Sequence, residues 1–241
     1  MSQVENPGIS AAQHDFLCRG IEVLGLDISP DSLNAIEIHL SLVQKWRSKM
    51  NLISIANERD LITHHALDSL ALLPLIAQSR RVLDFGTGAG FPGMLLAAAK
   101  PGISFSLLDS RVRRIEFLRL VNAQARLENT TFISTRVEEF SPGDGSEQEN
   151  SLVSPYSDVH APMKFDTLIV RAVASLNQLV EMTASLRLSG QCLVAMKGQY
   201  PREELEVLHK RYSDKFVSVS VEPLDVPFLD AERHAVVIEF R

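Results

Sequence analysis

Residues 82–93 read Val-Leu-Asp-Phe-Gly-Thr-Gly-Ala-Gly-Phe-Pro-Gly, and this stretch decides the fold class. The apolar run ending in Asp84-Phe85 predicts a strand, the glycines a tight loop, and Pro92 the first residue of a helix, where its missing N–H is no loss. Strand, glycine loop and helix together form the turn at which an α/β sheet lets a ligand approach the backbone. Gly88, Gly90 and Gly93 also spell G-x-G-x-x-G, the dinucleotide fingerprint, in which a pyrophosphate rests on the helix N-terminus. Asp84 stands immediately before the glycines and would repel that pyrophosphate. A ligand with a cationic end fits better. S-adenosylmethionine carries an ammonium and a sulfonium and no phosphate.

Moving outward, the next apolar run, residues 104–109, ends in Asp109. An acid at the end of the second strand can accept hydrogen bonds from both hydroxyls of a ribose. NAD and S-adenosylmethionine share that ribose, so Asp109 supports a nucleoside without separating the two, and capping of the next helix is the plain alternative. After the third run come Val137, Glu138 and Glu139, whose backbone and acids suit an adenine amino edge or an ordinary surface charge pair.

The strand-like runs are 81–85, 104–109, 130–134, 165–170, 191–196, 215–221 and 234–240, with helical stretches between most of them. That rhythm predicts an α/β fold, Rossmann-like, with a mostly parallel seven-stranded sheet covered on both faces. The last two runs are joined by a short segment with Pro223 and Pro227, too short for a helical crossover, so the last strand should be antiparallel. Before the sheet, residues 10–77 read as helical. Ser29-Pro30 starts one helix carrying the stripe Leu33, Ile36, Leu40, Val43, and a second helix is expected over 58–77. We therefore expect an N-terminal helical extension, 1–78, and a Rossmann-like domain, 79–241. Residues 141–164, polar and turn-rich, should form a solvated, mobile loop.

With 241 residues, 45% hydrophobic and 22% charged, the chain has the composition of a globular protein with a sizeable core. Its net charge of -6 excludes a wholly basic nucleic-acid coat but not a local basic patch. Cys18 and Cys192 have no metal-ligand or redox spacing, the N-terminus does not read as a signal peptide, and no apolar run is long enough to span a membrane. A cytoplasmic location is the expectation.

Taken together, these residues resemble the RsmG (GidB) methyltransferase family over most of the chain. The matching stretches are Lys49–Ser54, His64–Leu70, Asp84–Gly93, Leu107–Ser110, Arg136–Phe140, Arg171-Ala172, Lys197–Gln199 and Asp230–His234. The glycine motif alone is generic to class I S-adenosylmethionine-dependent methyltransferases; its combination with His-x-x-x-Asp-Ser and Lys-Gly-Gln is far more specific. The resemblance implies transfer of a methyl group to N7 of a guanine in 16S ribosomal RNA, in its 530 loop. The implied partner is the small ribosomal subunit, and the protein is expected as a monomer with no metal. It places cofactor contacts on Gly86, Phe91, Val137, Glu138 and Arg171, beside Asp84, Gly88, Gly90 and the ribose acid Asp109. Ala89 and Phe91 depart from the family's usual small residue and Leu, and 141–164 is longer than its usual loop.

Guanine N7 has a lone pair and no proton to lose, so its methylation needs alignment rather than a general base. The fourth strand ends Val170-Arg171-Ala172-Val173, without the Asp/Asn-Pro-Pro-aromatic loop of amino-nitrogen methylation or a Pro-Cys nucleophile. Arg111, Arg113, Arg114 and Arg119 follow Asp109 on one helix. Three arginines in a first turn oppose the macrodipole, which points to RNA phosphate contacts, with a solvated helix face as the plain alternative. Lys45, Arg47 and Lys49 form a second candidate patch. Lys197 and Arg171, at the ends of strands five and four, are positioning candidates, Lys197 toward an RNA phosphate or guanine O6. His64 and Asp68, at i and i+4, can pair on a helix face. An NAD-dependent oxidoreductase and a non-catalytic RNA-binding module are the competing readings.

Overall fold

The computed structural model describes residues 8–140, 164–186 and 188–241. Apart from Lys164, the expected loop at 141–164 lies outside the described residues. The sheet has seven strands in the order β3-β2-β1-β4-β5-β7-β6. They are β1 (Arg81–Phe85), β2 (Ser104–Leu108), β3 (Thr130–Ile133), β4 (Thr167–Arg171), β5 (Cys192–Lys197), β6 (Phe216–Pro223) and β7 (His234–Phe240). Pairing is parallel from β3 through β5, and β7 runs antiparallel to both of its neighbours. The expected fold class is therefore observed: a doubly wound α/β sheet with one reversed strand. Strand order reverses between β1 and β4, and in open α/β sheets ligands bind at the carboxyl ends beside that switch.

Strand periodicity sorts the side chains into two cores. On one face Val82, Phe105, Leu107 and Phe132 pack with helices α5 (Gly93–Ala99) and α6 (Val112–Ala125). On the other, Leu83, Phe85, Leu108 and Ile133 pack with α7 (Leu176–Met182) and α8 (Arg202–Tyr212). The first core extends into the N-terminal helices. Leu17 of α1 (Ala11–Val23) and Ile36, Leu40 and Val43 of α2 (Pro30–Met50) are fully buried within it. As expected, Ser29 caps α2 by accepting from the Ser32 N–H, and Pro30 is its first residue.

Two local expectations need correction. The segment 58–77 is not one helix. Asn57 caps a single turn, α3 (Glu58–Leu61). A π-helix follows over Ile62–Leu67, then α4 (Asp68–Leu70) and a 3-10 turn at Leu73–Ile76. Pro74 explains the end of the α-helix, because it has no N–H to continue the ladder. Pro92 is the N-cap of α5 rather than its first residue, and the Phe91-Pro92 peptide is cis. The first helical N–H is that of Gly93, and it donates to Asp84 Oδ2 at 2.9 Å.

Candidate functional site

The glycine loop is built around Asp84. Its Oδ2 also accepts the Thr87 hydroxyl at 2.7 Å, so one carboxylate oxygen closes the loop and caps the helix after it. Asp84 is 1% exposed, and its Oδ1 is buried with no partner among the described residues. Burial raises its pKa to about 6, despite the opposing pull of the Thr87 and Gly93 hydrogen bonds. Glycine is required beside it: a Cβ on Gly93 would lie 2.5 Å from Asp84 Oδ2 and 2.3 Å from Leu107 Cδ2. Gly90 turns at φ +93°, and a Cβ there would meet Met94 Cγ at 2.7 Å.

Asp109, 3% exposed, is also engaged. Its Oδ2 accepts the Gly88 N–H and a guanidinium N–H of Arg114, both at 3.0 Å, and its Oδ1 accepts the Arg111 N–H at 2.9 Å. It therefore steadies the glycine loop and caps the approach to α6 at once. Two cavities open at the carboxyl ends of the strands, and neither acid is in the wall of either. The smaller, of about 300 Å³, is lined by Gly86, Ser110, Val137, Glu138 and Val173 among others. It gathers three of the residues singled out in the sequence, from the ends of β1 and β3.

The larger cavity, of about 590 Å³, lies at the ends of β4 and β5 under the π-helix, with Arg171, Lys197, Arg233, His65 and Asp68 in its wall. Arg171 donates to the His64 carbonyl (3.1 Å), Asp68 Oδ2 (3.1 Å) and His65 Nδ1 (3.0 Å). Arg233 Nε donates to Asp68 Oδ1 at 3.0 Å, so one buried carboxylate orients two guanidinium groups. His65 accepts at Nδ1 and is neutral. Burial, with the nearby Arg171 charge, lowers its pKa to about 3. Lys197 Nζ donates to both oxygens of Glu204 (3.1 and 2.8 Å) and to the Ala174 carbonyl (3.1 Å). The expected His64–Asp68 pair does not form. The wider π turn carries residue 68 off the face of His64, whose Nδ1 lies 2.9 Å from Thr63 Oγ1 and 3.8 Å from Asp60.

Phe91 lines neither cavity. It is 3% exposed, with its ring stacked on His39 at 4.8 Å and tilted against His65 at 5.0 Å, and Arg171 lies 5.5 Å from its centroid. His39 was missed in the sequence. Its Nε2–H donates to the Ala89 carbonyl at 2.6 Å, tying α2 to the glycine loop, and burial lowers its pKa to about 4. The available signal was a histidine interrupting the apolar stripe of α2, three residues after Ile36. Arg233 and Glu204 were missed as site residues too.

The arginines of α6 divide. Arg111 and Arg113 are exposed, Arg114 is turned inward onto Asp109, and Arg119 lies 5.4 Å from the Phe132 ring centroid. Among the described residues, no group of three His, Cys, Asp or Glu side chains is arranged to hold a metal ion. No described helix is long and apolar enough to cross a membrane.

A doubly wound sheet with a reversed β7, and a glycine loop leaving β1 beside two cavities, has the architecture of a class I S-adenosylmethionine-dependent methyltransferase. The O-methyltransferase TomG of Streptomyces achromogenes, solved in complex with SAM, is similar in fold, with a TM-score of 0.55 at 14% identity, covering 96% of this chain and 100% of that one. Residues 32–236 match the family model described as rRNA small subunit methyltransferase G. Over 222 residues the chain is 35% identical to the ribosomal RNA small subunit methyltransferase G of Nitrosococcus oceani, covering 92% of each. It is 36% identical over 223 residues to the protein of the same name from Coxiella burnetii, covering 92% of this chain and 96% of that one. The chain belongs to the rRNA small subunit methyltransferase G family.

Proposed function

We propose that the protein transfers a methyl group from S-adenosylmethionine to N7 of a guanine in 16S ribosomal RNA, in the 530 loop of the small subunit. The observation that carries this reading is the pair of cavities flanking the β1–β4 switch. One is of nucleoside scale and lined by Gly86, Val137 and Glu138. The other is walled by Arg171, Arg233 and Lys197. In the first, Glu138 and the backbone around Val137 suit an adenine. The unpartnered Oδ1 of Asp84 suits a buried cationic group, and Asp109 keeps one acceptor position on Oδ1 for a ribose hydroxyl. A second ribose bond to Asp109 needs Arg114 to yield. The bound cofactor would supply an electrophilic methyl carbon.

In the larger cavity, the deepest groups are unsuited to taking a proton. Asp68 is held by two guanidinium groups, and the Nδ1 of His65 is already an acceptor for Arg171. That favours an acceptor such as N7, which has no proton to lose, over an exocyclic amine. Arg171 and Arg233 then act by orienting the base and its phosphates, and Lys197 joins them where it can leave Glu204. Because the N7 edge is closed to side chains in an A-form helix, the target is an unstacked base. Arg111, Arg113 and Arg119 are the proposed phosphate contacts, whereas Arg114, expected among them from the sequence, is engaged by Asp109 instead. We assign residues 1–78 to a helical layer and 79–241 to the methyltransferase domain, in a cytoplasmic monomer.

The test is mass mapping of small-subunit ribosomal RNA from cells with and without the gene. One N7-methylguanosine should vanish, returning with the wild-type gene and not with Asp84→Ala. An unchanged methylation map would sink the substrate assignment.

A further inference from the structure

Beyond the strand ends, the rim of the larger cavity carries an exposed aromatic side chain that no role above uses. Tyr200 follows Lys197-Gly198-Gln199, and Lys197 and Gly198 line the cavity itself. The backbone there makes a tight turn. Pro201 is buried at φ -86°, ψ 58°, and the Arg202 N–H donates to the Tyr200 carbonyl at 3.0 Å, closing an inverse γ-turn. The tyrosine it presents is 50% exposed, and its hydroxyl has no hydrogen bond among the described residues. A tyrosine placed for stability would bury its ring and satisfy its hydroxyl.

Its neighbours are groups that suit a nucleobase. The Arg202 guanidinium lies 5.8 Å from the Tyr200 centroid, and the His234 imidazole meets the ring edge-to-face at 5.6 Å. His234 in turn bonds through Nδ1 to the Gly198 carbonyl at 2.9 Å, and it follows Arg233 of the cavity wall. The ring is therefore held by contacts that lead directly to the cationic cavity. The other large exposed aromatic among the described residues, Phe228, is different: its ring already stacks on Phe16 of α1 at 4.7 Å.

We propose that Tyr200, flanked by Arg202 and His234, is a stacking platform for an unpaired base next to the methylated guanine. A guanine can enter the cavity only from a locally opened strand, and its neighbour then loses a stacking partner. An aromatic ring at the rim replaces that partner, and the adjacent guanidinium adds cation–π and phosphate attraction. Stacking tolerates any base, so the platform contributes affinity without sequence readout. This inference rests on the RNA substrate proposed above.

The test measures steady-state methyl transfer to unmethylated small-subunit ribosomal RNA, together with fluorescence of a single-stranded RNA oligonucleotide carrying 2-aminopurine. Tyr200→Ala should raise KM for the RNA about tenfold, with little change in kcat, and abolish the 2-aminopurine quenching that wild type produces. Tyr200→Phe should recover most of the affinity and Tyr200→Trp should match or exceed wild type. Binding of S-adenosylhomocysteine, measured calorimetrically, should be equal in all three. An unchanged KM in Tyr200→Ala overturns the platform. So does a Tyr200→Phe defect as large as that of Tyr200→Ala, which would assign the effect to the hydroxyl. If wild type transfers no methyl to the ribosomal RNA, the substrate reading fails instead, and quenching by wild type against Tyr200→Ala alone decides the platform.

Discussion

Two buried titratable side chains, His39 and Asp84, and the half-buried His65 surround the glycine loop, and their opposed shifts set its response to pH. An imidazole in an unfolded chain titrates near 6.5, whereas His39 does so at about 4 and His65 at about 3 in the native protein. Below 6.5 the unfolded state binds more protons, so these contributions to stability are full above 6.5 and are lost as the pH falls toward 4 and 3. Asp84 has the other sign. Its native value of about 6 exceeds the ordinary 3.8, so its contribution is full below 3.8 and is lost as the pH rises through 6. Two histidines outweigh one aspartate, and the protein should lose stability between pH 6.5 and 4. His39→Gln, which can keep the bond to Ala89, should remove on the order of 2 kcal/mol of that loss. Denaturant unfolding at pH 7 and pH 4.5 measures it, and a wild-type-to-variant difference equal at both values would refute the assignment. At this scale the sequence was only partly legible. Asp84 and Asp109 were found because an acid beside glycines is a local pattern. The hydrogen bonds that occupy them, and the contact of His39 with a residue fifty positions later, depend on how elements pack.

Helix α6 shows how an element changes the meaning of its residues. Read along the chain, Arg111, Arg113 and Arg114 are one basic turn at a helix N-terminus. In the structure Asp109 answers that charge, and Arg114 belongs to the acid rather than to the solvent. The two substitutions should therefore separate. Arg113→Ala should weaken RNA binding severalfold and reduce its salt slope by about one, leaving cofactor affinity unchanged. Arg114→Ala frees an acceptor on Asp109 and should alter S-adenosylmethionine affinity while leaving the salt slope of RNA binding unchanged. Filter binding across a salt series and calorimetry with the cofactor distinguish them, and identical effects of the two changes would refute the division. The π-helix is the element least readable from sequence. Its residues suit an α-helix, and the extra residue per turn is fixed by His65 and Asp68 reaching Arg171 from one side.

Across the whole molecule, the strands were legible because parallel strands buried on both faces read as short apolar runs, and each fell within about two residues of its expected place. The antiparallel β7 followed from connection length. Less legible was the extent to which the N-terminal helices share the sheet's core, since an amphipathic stripe does not name the surface it covers. Ile36, Leu40 and Val43, each fully buried, pack in one cluster with Leu95, Leu96 and Leu118 of α5 and α6. A fragment of residues 79–241 should consequently fail to fold on its own, giving aggregation and no cooperative melting transition. Recovery of a soluble fragment with a sharp transition would show that the helical layer is dispensable.

The position of β7 has a consequence for biosynthesis. It lies between β5 and β6, and among the described residues it is the sole strand partner of β6. The ribosome makes it after every other strand. While translation proceeds, β1 through β5 can pair as they emerge, but β6 has nothing to pair with until β7 follows it. The sheet is complete only when β7 pairs with β5 on one side and with β6 on the other. Nascent chains that stop short of residue 234 should therefore carry β6 as an exposed, unpaired strand, which marks incomplete copies for chaperones and proteases before they can meet RNA.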